Sequence, residues 1–198
     1  RYKFVYFSRT PFTTALAVYA HELAFAFFSG IPEKIVYDQD KVFLVKENLG
    51  DLLLTGGFRV LIREHGFEPV FCRKSDPQSK GKIENVVKYV KYNFLRGREF
   101  IGIEQLNRDV LGWLDRTANG TEHHGIRRIP SEEFRTEKPH LMPYKGVPTV
   151  PCEKLAPHHV RKDNVINYRG NYYTVPTGTY NGHQTLVYLE EKEGSLHI

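Results

Sequence analysis

At 198 residues, with 40% hydrophobic and 13% aromatic side chains, the chain can pack the core of one medium domain, or of one domain with a small appendage. Disorder is therefore excluded as its ground state. The net charge of +5 is too small for a bulk polycation, and no apolar run reaches the roughly 20 residues of a membrane span. The most apolar stretch, "ALAVYAHELAFAFF", is interrupted by His21 and Glu22, and no signal-peptide pattern is present. Cys72 and Cys152 lack the spacing of a disulfide framework or a zinc knuckle and fit a reducing, cytoplasmic compartment.

In chain order, "RYKFVYFS" reads as a strand and "SRTPF" as a turn toward a short second strand near Phe12. Thr13 or Thr14 can cap a helix to about Phe28, with Leu16, Tyr19, Ala20, Leu23 and Phe27 at helical spacing and Gly30 as its stop. "EKIVYDQ" is a short apolar strand that ends in a polar turn at Asp38. Thr55 can cap a second helix, with Phe58, Leu61 and Ile62 inward and Gly66 at its end. "FEPVFC" is the next strand. Strands and helices in alternation predict an α/β layered fold.

The next helix, within "SDPQSKGKIENVVKYVKYNF", presents a core stripe of Ile83, Val86, Val87, Val90 and Phe94. On another face Glu84, Lys88 and Lys91 stand at i, i+4 and i+7. The surrounding segment, residues 73–98, holds eight basic residues against two acidic ones, a net +6 that exceeds the charge of the whole chain. Such a stripe suits a polyanion partner, although a solvated helix face has the same composition. Glu84 itself reads either as the helical partner of Lys88, worth roughly 0.2–0.5 kcal/mol, or as a metal ligand with lysines placed for phosphates. The local pattern does not separate the two.

A further helix covers about Ile103 to Ala118, with Ile103, Leu106, Val110, Trp113 and Leu114 inward. "NGTEHHGIRRIP" is a polar loop, and Pro130 opens the short helix "PSEEFRTEK". Five prolines between residues 139 and 157 predict a stiff, extended linker. Beyond it the period changes to two. "NVINY", "NYYTVP" and "QTLVYLE", separated by the turns "RGN", "TYNG" and "KEG", predict a small all-β sheet or barrel.

Taken together, "IVYDQDK", "DPQSKGKIENVVKYVKYNF", "LGWLDRTANGTEHHGIRRIP" and "GNYYTVP" resemble the IstA-type transposases of bacterial insertion sequences, DDE recombinases with a retroviral-integrase-like core. The resemblance covers nearly the whole chain, and its most specific part is the KGKIE stretch. It implies an α/β, ribonuclease-H-like catalytic core that lacks its first strand, over residues 1–138 with a helical extension. Residues 139–157 would be a proline-rich linker. Residues 158–198 would be a small, incomplete β-barrel of the kind that follows the core in phage Mu-type transposases.

The same resemblance makes Asp38 the second aspartate and Glu84 the glutamate of an acidic triad. Such a triad holds two divalent cations about 3.5–4 Å apart. Mg²⁺ is the expected ion, with Mn²⁺ as an alternative. Arg73, Lys74, Lys80, Lys82, Lys88, Lys91, Arg96 and Arg98 would lie along the DNA backbone. The family's first aspartate has no counterpart, since no Asp precedes Asp38; that ligand is expected upstream of Arg1 in a longer protein. The implied activity is 3′-end cleavage and strand transfer on double-stranded DNA, both transposon ends and target. The implied partners are further copies of the chain on paired ends and an IstB-type AAA+ ATPase. The implied location is the bacterial cytoplasm, on the nucleoid, with no membrane association.

A catalytically silent DNA-binding or assembly module derived from such an enzyme is the alternative, and a different nuclease of the ribonuclease-H-like group a third reading. Among lesser candidates, Asp40 reads as a turn residue or as one that supports a metal ligand from behind, and His123 and His124 as loop residues that pack or touch DNA. Arg127 and Arg128 read as phosphate contacts or solvated side chains. Tyr172 and Tyr173 read as strand core in preference to DNA contacts.

Overall fold

The computed structural model describes residues 1–48, 51–72, 77–151, 157–192 and 195–197. The chain divides into two compact units, Arg1–Pro151 and Cys152–Ile198. The first is mixed α/β. Its elements are α1 (Thr14–Phe28), β1 (Lys34–Tyr37), β2 (Leu44–Asn48), β3 (Asp51–Leu54), α2 (Gly56–His65), β4 (Glu68–Phe71), α3 (Pro77–Val90), α4 (Ile103–Trp113) and α5 (Pro130–Glu137).

β1 and β4 pair in parallel, in register from Lys34 opposite Glu68 to Tyr37 opposite Phe71. A parallel pair needs a crossover, and α2 lies within it. Ile35, Tyr37 and Phe71 face inward onto a cluster built from Phe25, Ile31, Phe58, Leu61 and Phe67. The opposite face carries the Lys34–Glu68 ion pair and the exposed Val36 and Val70. Leu44–Asn48 and Asp51–Leu54, for which the sequence predicts no element, are the antiparallel pair β2–β3.

α1 starts as expected. The Thr13 hydroxyl accepts from the Leu16 N–H at 3.2 Å, an N-cap worth about 1 kcal/mol. It stops differently, because the left-handed residue is Ser29, with φ of 54°. Gly30 matters for room instead: a Cβ there would meet Leu141 Cβ at 2.7 Å. The helix also buries more than one stripe. Ala17 and Phe25 are its buried residues, while Tyr19, Phe27 and Phe28 pack on the N-terminal aromatics.

The expected first strand and the short strand near Phe12 are not strands in the structure. The alternation of residues 1–8 is nevertheless used. Tyr2, Phe4 and Tyr6 face α1, and Val5 and Phe7 face a second cluster. The backbone partners are two side-chain amides. Asn119 accepts from Lys3 N–H and donates to Lys3 C=O, both at 2.8 Å, and Asn107 does the same with Phe7 at 2.8 and 2.9 Å. Each amide presents the same donor and acceptor as a neighbouring strand and satisfies the same requirement.

The second cluster joins Val90, Phe94, Val110, Trp113, Leu114 and Ala118. α3 and α4 both run on into π-helical turns, Lys91–Leu95 and Leu114–Ala118. Only the C-terminal half of the α3 stripe is packed. Val86, Val90 and Phe94 join the cluster, whereas Ile83 and Val87 are 57% and 56% exposed, against expectation.

The proline-rich segment is docked at its start. Met142 and Ile31 exchange two backbone hydrogen bonds of 2.8 and 2.9 Å. The Tyr144 hydroxyl donates to Glu22 while its ring packs on Phe25 and His65. Met142 and Tyr144 thus hold the start of the proline-rich segment against the first unit.

The second unit is all-β. β5 (Pro157–His159) pairs with β8 (Leu186–Tyr188), β6 (Val165–Tyr168) with β7 (Asn171–Thr174), and β9 (Glu190–Lys192) with β10 (Ser195–His197), all antiparallel. Val160, Ile166, Val175 and Leu189 form its core. The β6–β7 turn has φ of 51° at Arg169 and 82° at Gly170, the two-residue geometry that suits strand twist. Among the described residues the pairs do not close into a barrel, which corrects that part of the expectation.

Candidate active site

Asp38 follows the last residue of β1, at the C-terminal end of the parallel pair. Cys72 N–H donates to Tyr37 C=O at 2.9 Å, so β4 ends at the same edge. In α/β sheets this edge is where ligands bind. Asp38 is exposed, and its Oδ1 accepts from Gln39 N–H at 2.9 Å. Asp40 builds the following turn: its Oδ1 accepts from Val42 N–H at 2.9 Å and its carbonyl from Phe43 and Leu44. The reading of Asp40 as a turn residue agrees with this geometry.

Behind the strand end lies a brace that the sequence reading did not find. His21 Nδ1 is 2.6 Å from Ala17 C=O and its Nε2 is 2.9 Å from the Tyr37 hydroxyl. A carbonyl only accepts, so in the neutral ring Nδ1 carries the proton and Nε2 accepts from Tyr37. Burial pushes the His21 pKa down and the Tyr37 pKa up. A second network joins Glu22, His65 and Tyr144, with Glu22 Oε1 at 2.7 Å from His65 Nε2. Its members are 43 and 122 residues from Glu22, so no local pattern could have linked them.

Glu84 is exposed on α3, the helix that follows β4. Lys88 is exposed one turn later, and no ion pair joins the two among the described residues. Lys91 and Arg96 are exposed as well. Arg98 is engaged by the protein: Nη1 is 3.1 Å from Asp109 Oδ2, Nε donates to Phe94 C=O, and the guanidinium lies 4.2 Å from the Phe94 ring centroid. Lys80 and Lys82 stand on α3, and nothing further is described for their side chains. Arg73 and Lys74 fall outside the described residues.

The carboxylates of Asp38 and Glu84 are hard oxygen donors suited to Mg²⁺ or Mn²⁺. The chemistry of the set fits, but its number does not. Among the described residues no group of three or more His, Cys, Asp or Glu side chains could hold a metal ion, and Asp38 and Glu84 are not joined in one.

In the "NGTEHHGIRRIP" loop, His123 Nδ1 accepts from Gly125 N–H at 3.1 Å, and its backbone bridges to Arg128. Partial burial, then the charges of Lys3 and Arg1, hold the His123 pKa below its ordinary value. Arg128 reaches both oxygens of Glu133 at 3.1 Å. Arg127 is exposed, with φ of 53°.

The first unit thus sets one acidic side chain, Asp38, at the end of a parallel strand and another, Glu84, exposed on the helix that follows β4. No family model matches the chain. Individual relatives do. It is 58% identical over all 198 residues to the transposase for an IS21-like insertion sequence element of Bacteroides fragilis. It is 31% identical over 154 residues, 77% of the chain, to the transposase for insertion sequence element IS21 of Pseudomonas aeruginosa. Over 113 residues, 57% of the chain, it is 31% identical to the transposase for insertion sequence element IS640 of Shigella sonnei. The chain spans only 38%, 39% and 36% of these relatives' lengths. The chain belongs to the family of IS21-type insertion-sequence transposases.

Proposed function

We propose that the chain forms part of a DNA transposase of the DDE type, which cuts the 3′ ends of an insertion sequence and joins them to target DNA. The observation that carries this reading is the 58% identity to a transposase along the entire chain. The geometry supports it at two points. Asp38 stands at the ligand-binding edge of a parallel pair, and the strand beside it leads into the helix that bears Glu84. The first unit is then a variant of the ribonuclease-H-like core.

In this reading Asp38 and Glu84 are two of three carboxylates, and the third comes from outside these 198 residues. Bound Mg²⁺ or Mn²⁺ would supply activation of the attacking oxygen and charge stabilisation at the leaving one. The chain's own contribution is to hold carboxylates at a braced strand end and on α3, and to set Lys88, Lys91 and Arg96 against phosphates. These contacts position DNA without reading its sequence. Double-stranded transposon ends and target DNA are the substrates, in a homo-oligomer on paired ends that works with an IstB-type AAA+ ATPase in the bacterial cytoplasm.

The test uses the full-length protein. Glu84→Gln and Asp38→Asn each keep side-chain shape and remove a charge. Loss of even an outer partner of a metal ligand costs about 10–100-fold, so each variant should lose more than about 100-fold in 3′-end cleavage and strand transfer. Binding to end DNA should persist. Strand transfer at the wild-type rate by either variant in Mg²⁺ would overturn the assignment and leave a non-catalytic DNA-binding module.

A further inference from the structure

Tyr172 and Tyr173 of "NYYTVP" read from sequence as strand core, and the structure exposes both, while Val175 of the same stretch is buried. Tyr172 is 65% exposed and Tyr173 38%. In the β6–β7 register Tyr172 lies opposite Asn167 and Tyr173 opposite Ile166. Ile166 is fully buried, so Tyr172 stands on the outer face of the hairpin. The guanidinium of Arg161 sits 5.6 Å from the Tyr172 ring centroid. On the same hairpin the guanidinium of Arg169 sits 5.1 Å from the Tyr168 ring. Cation–aromatic pairs that matter energetically occur about once per 70–80 residues, so two on one short hairpin is a concentration.

The Arg161 backbone is held firmly. Its N–H donates to Val165 C=O and its carbonyl accepts from Asn164 N–H, both at 2.9 Å. Asn164, in the left-handed region with φ of 53°, also accepts from Tyr180 N–H through Oδ1 at 2.9 Å. Arg161, Lys162 and Arg169 are exposed around the hairpin, with Asp163 the acid among them. The surface thus joins an open aromatic ring to a local excess of positive charge.

We propose that this outer face of β6–β7 is a stacking platform for an unpaired base of a DNA strand, with Tyr172 as the platform, Arg161 as its cationic neighbour, and Lys162 and Arg169 on the adjoining phosphates. The choice of DNA rests on the transposase reading. The choice of an unpaired base rests on geometry. Inside a duplex both faces of every base are covered by neighbours, so away from duplex ends an aromatic side chain finds an open face only on an unpaired base. Stacking is also indifferent to sequence, since every base has such a face.

The experiment compares the 198-residue chain binding to fluorescent oligothymidylate and to a dumbbell duplex with both ends closed, at matched salt. Tyr172→Ala should weaken oligothymidylate binding by about 5- to 100-fold and leave the dumbbell unaffected. Tyr172→Phe, which keeps the ring, should bind oligothymidylate like the wild type. Tyr172 supports no core, so a folding defect in the Ala variant is not expected. Unchanged oligothymidylate binding by Tyr172→Ala, or equal losses on both DNAs, would overturn the platform. If the wild-type chain ignores oligothymidylate while the full-length protein still transfers strands, this inference alone fails and the transposase reading stands.

Discussion

The two carboxylates of the proposed site stand on supports of very different quality. Asp38 follows a strand whose inner face packs on a dense aromatic cluster and whose last residue, Tyr37, is hydrogen-bonded to the half-buried ring of His21. Glu84 is carried by a helix whose packed side chains, among the described ones, are Val86, Tyr89 and Val90. Two residues of the apolar stripe, Ile83 and Val87, face solvent. One carboxylate is located by core packing. The other is located by the helix alone, anchored from Val86 onward. A site assembled from both needs the second support to be completed, whereas the first is already complete.

The largest expected effect tests the first support. Phe58 is 1% exposed, with ring centroids of Phe43 and Tyr37 at 4.8 and 5.0 Å. Phe58→Ala should cost about 3–5 kcal/mol in urea unfolding, the range for a large buried aromatic. A cost below about 1 kcal/mol would mean that the aromatic cluster does not hold the strand end.

A smaller effect comes from His21 and depends on pH. Its folded pKa is lowered, chiefly by burial, with the Ala17 carbonyl and Glu22 opposing. Below the unfolded value of about 6.5 the unfolded chain binds the extra proton and the folded chain resists it. Its contribution is therefore complete above about pH 6.5 and is lost as pH falls toward the folded pKa, at no more than about 1.4 kcal/mol per pH unit. Unfolding curves of the wild type and His21→Gln between pH 7 and pH 5 isolate this contribution by difference. Parallel losses in both proteins would remove His21 as the brace.

The smallest effect separates the halves of α3. Ile83→Ala should change stability by less than about 0.5 kcal/mol, since the side chain is exposed and Ala favours helix. Val90→Ala, at a residue 6% exposed, should cost about 1.5 kcal/mol at about 0.8 per buried methyl-sized group. Equal costs would show the two ends of the helix to be packed alike, and the contrast between the supports would disappear.

Several elements were legible in the residues themselves because their cause is local. The Thr13 cap, the Gly66 stop, the first-turn proline of α5 and the Arg169–Gly170 turn all follow from what a side chain does to its own backbone. The strands "EKIVYDQ" and "FEPVFC", and the transposase resemblance that singled out Asp38 and Glu84, were also readable in the sequence. Tertiary structure alone decided the matters that depend on distant partners. The alternating N-terminal segment pairs with Asn107 and Asn119, about a hundred residues away, and not with a strand. Arg98 belongs to Asp109 and Phe94, and Tyr172 stands on the outer face of the β6–β7 hairpin although its strand neighbours suggested core. Periodicity reports that a side chain has a preferred face; which surface meets that face, or whether any does, is set by the packing of segments remote in sequence.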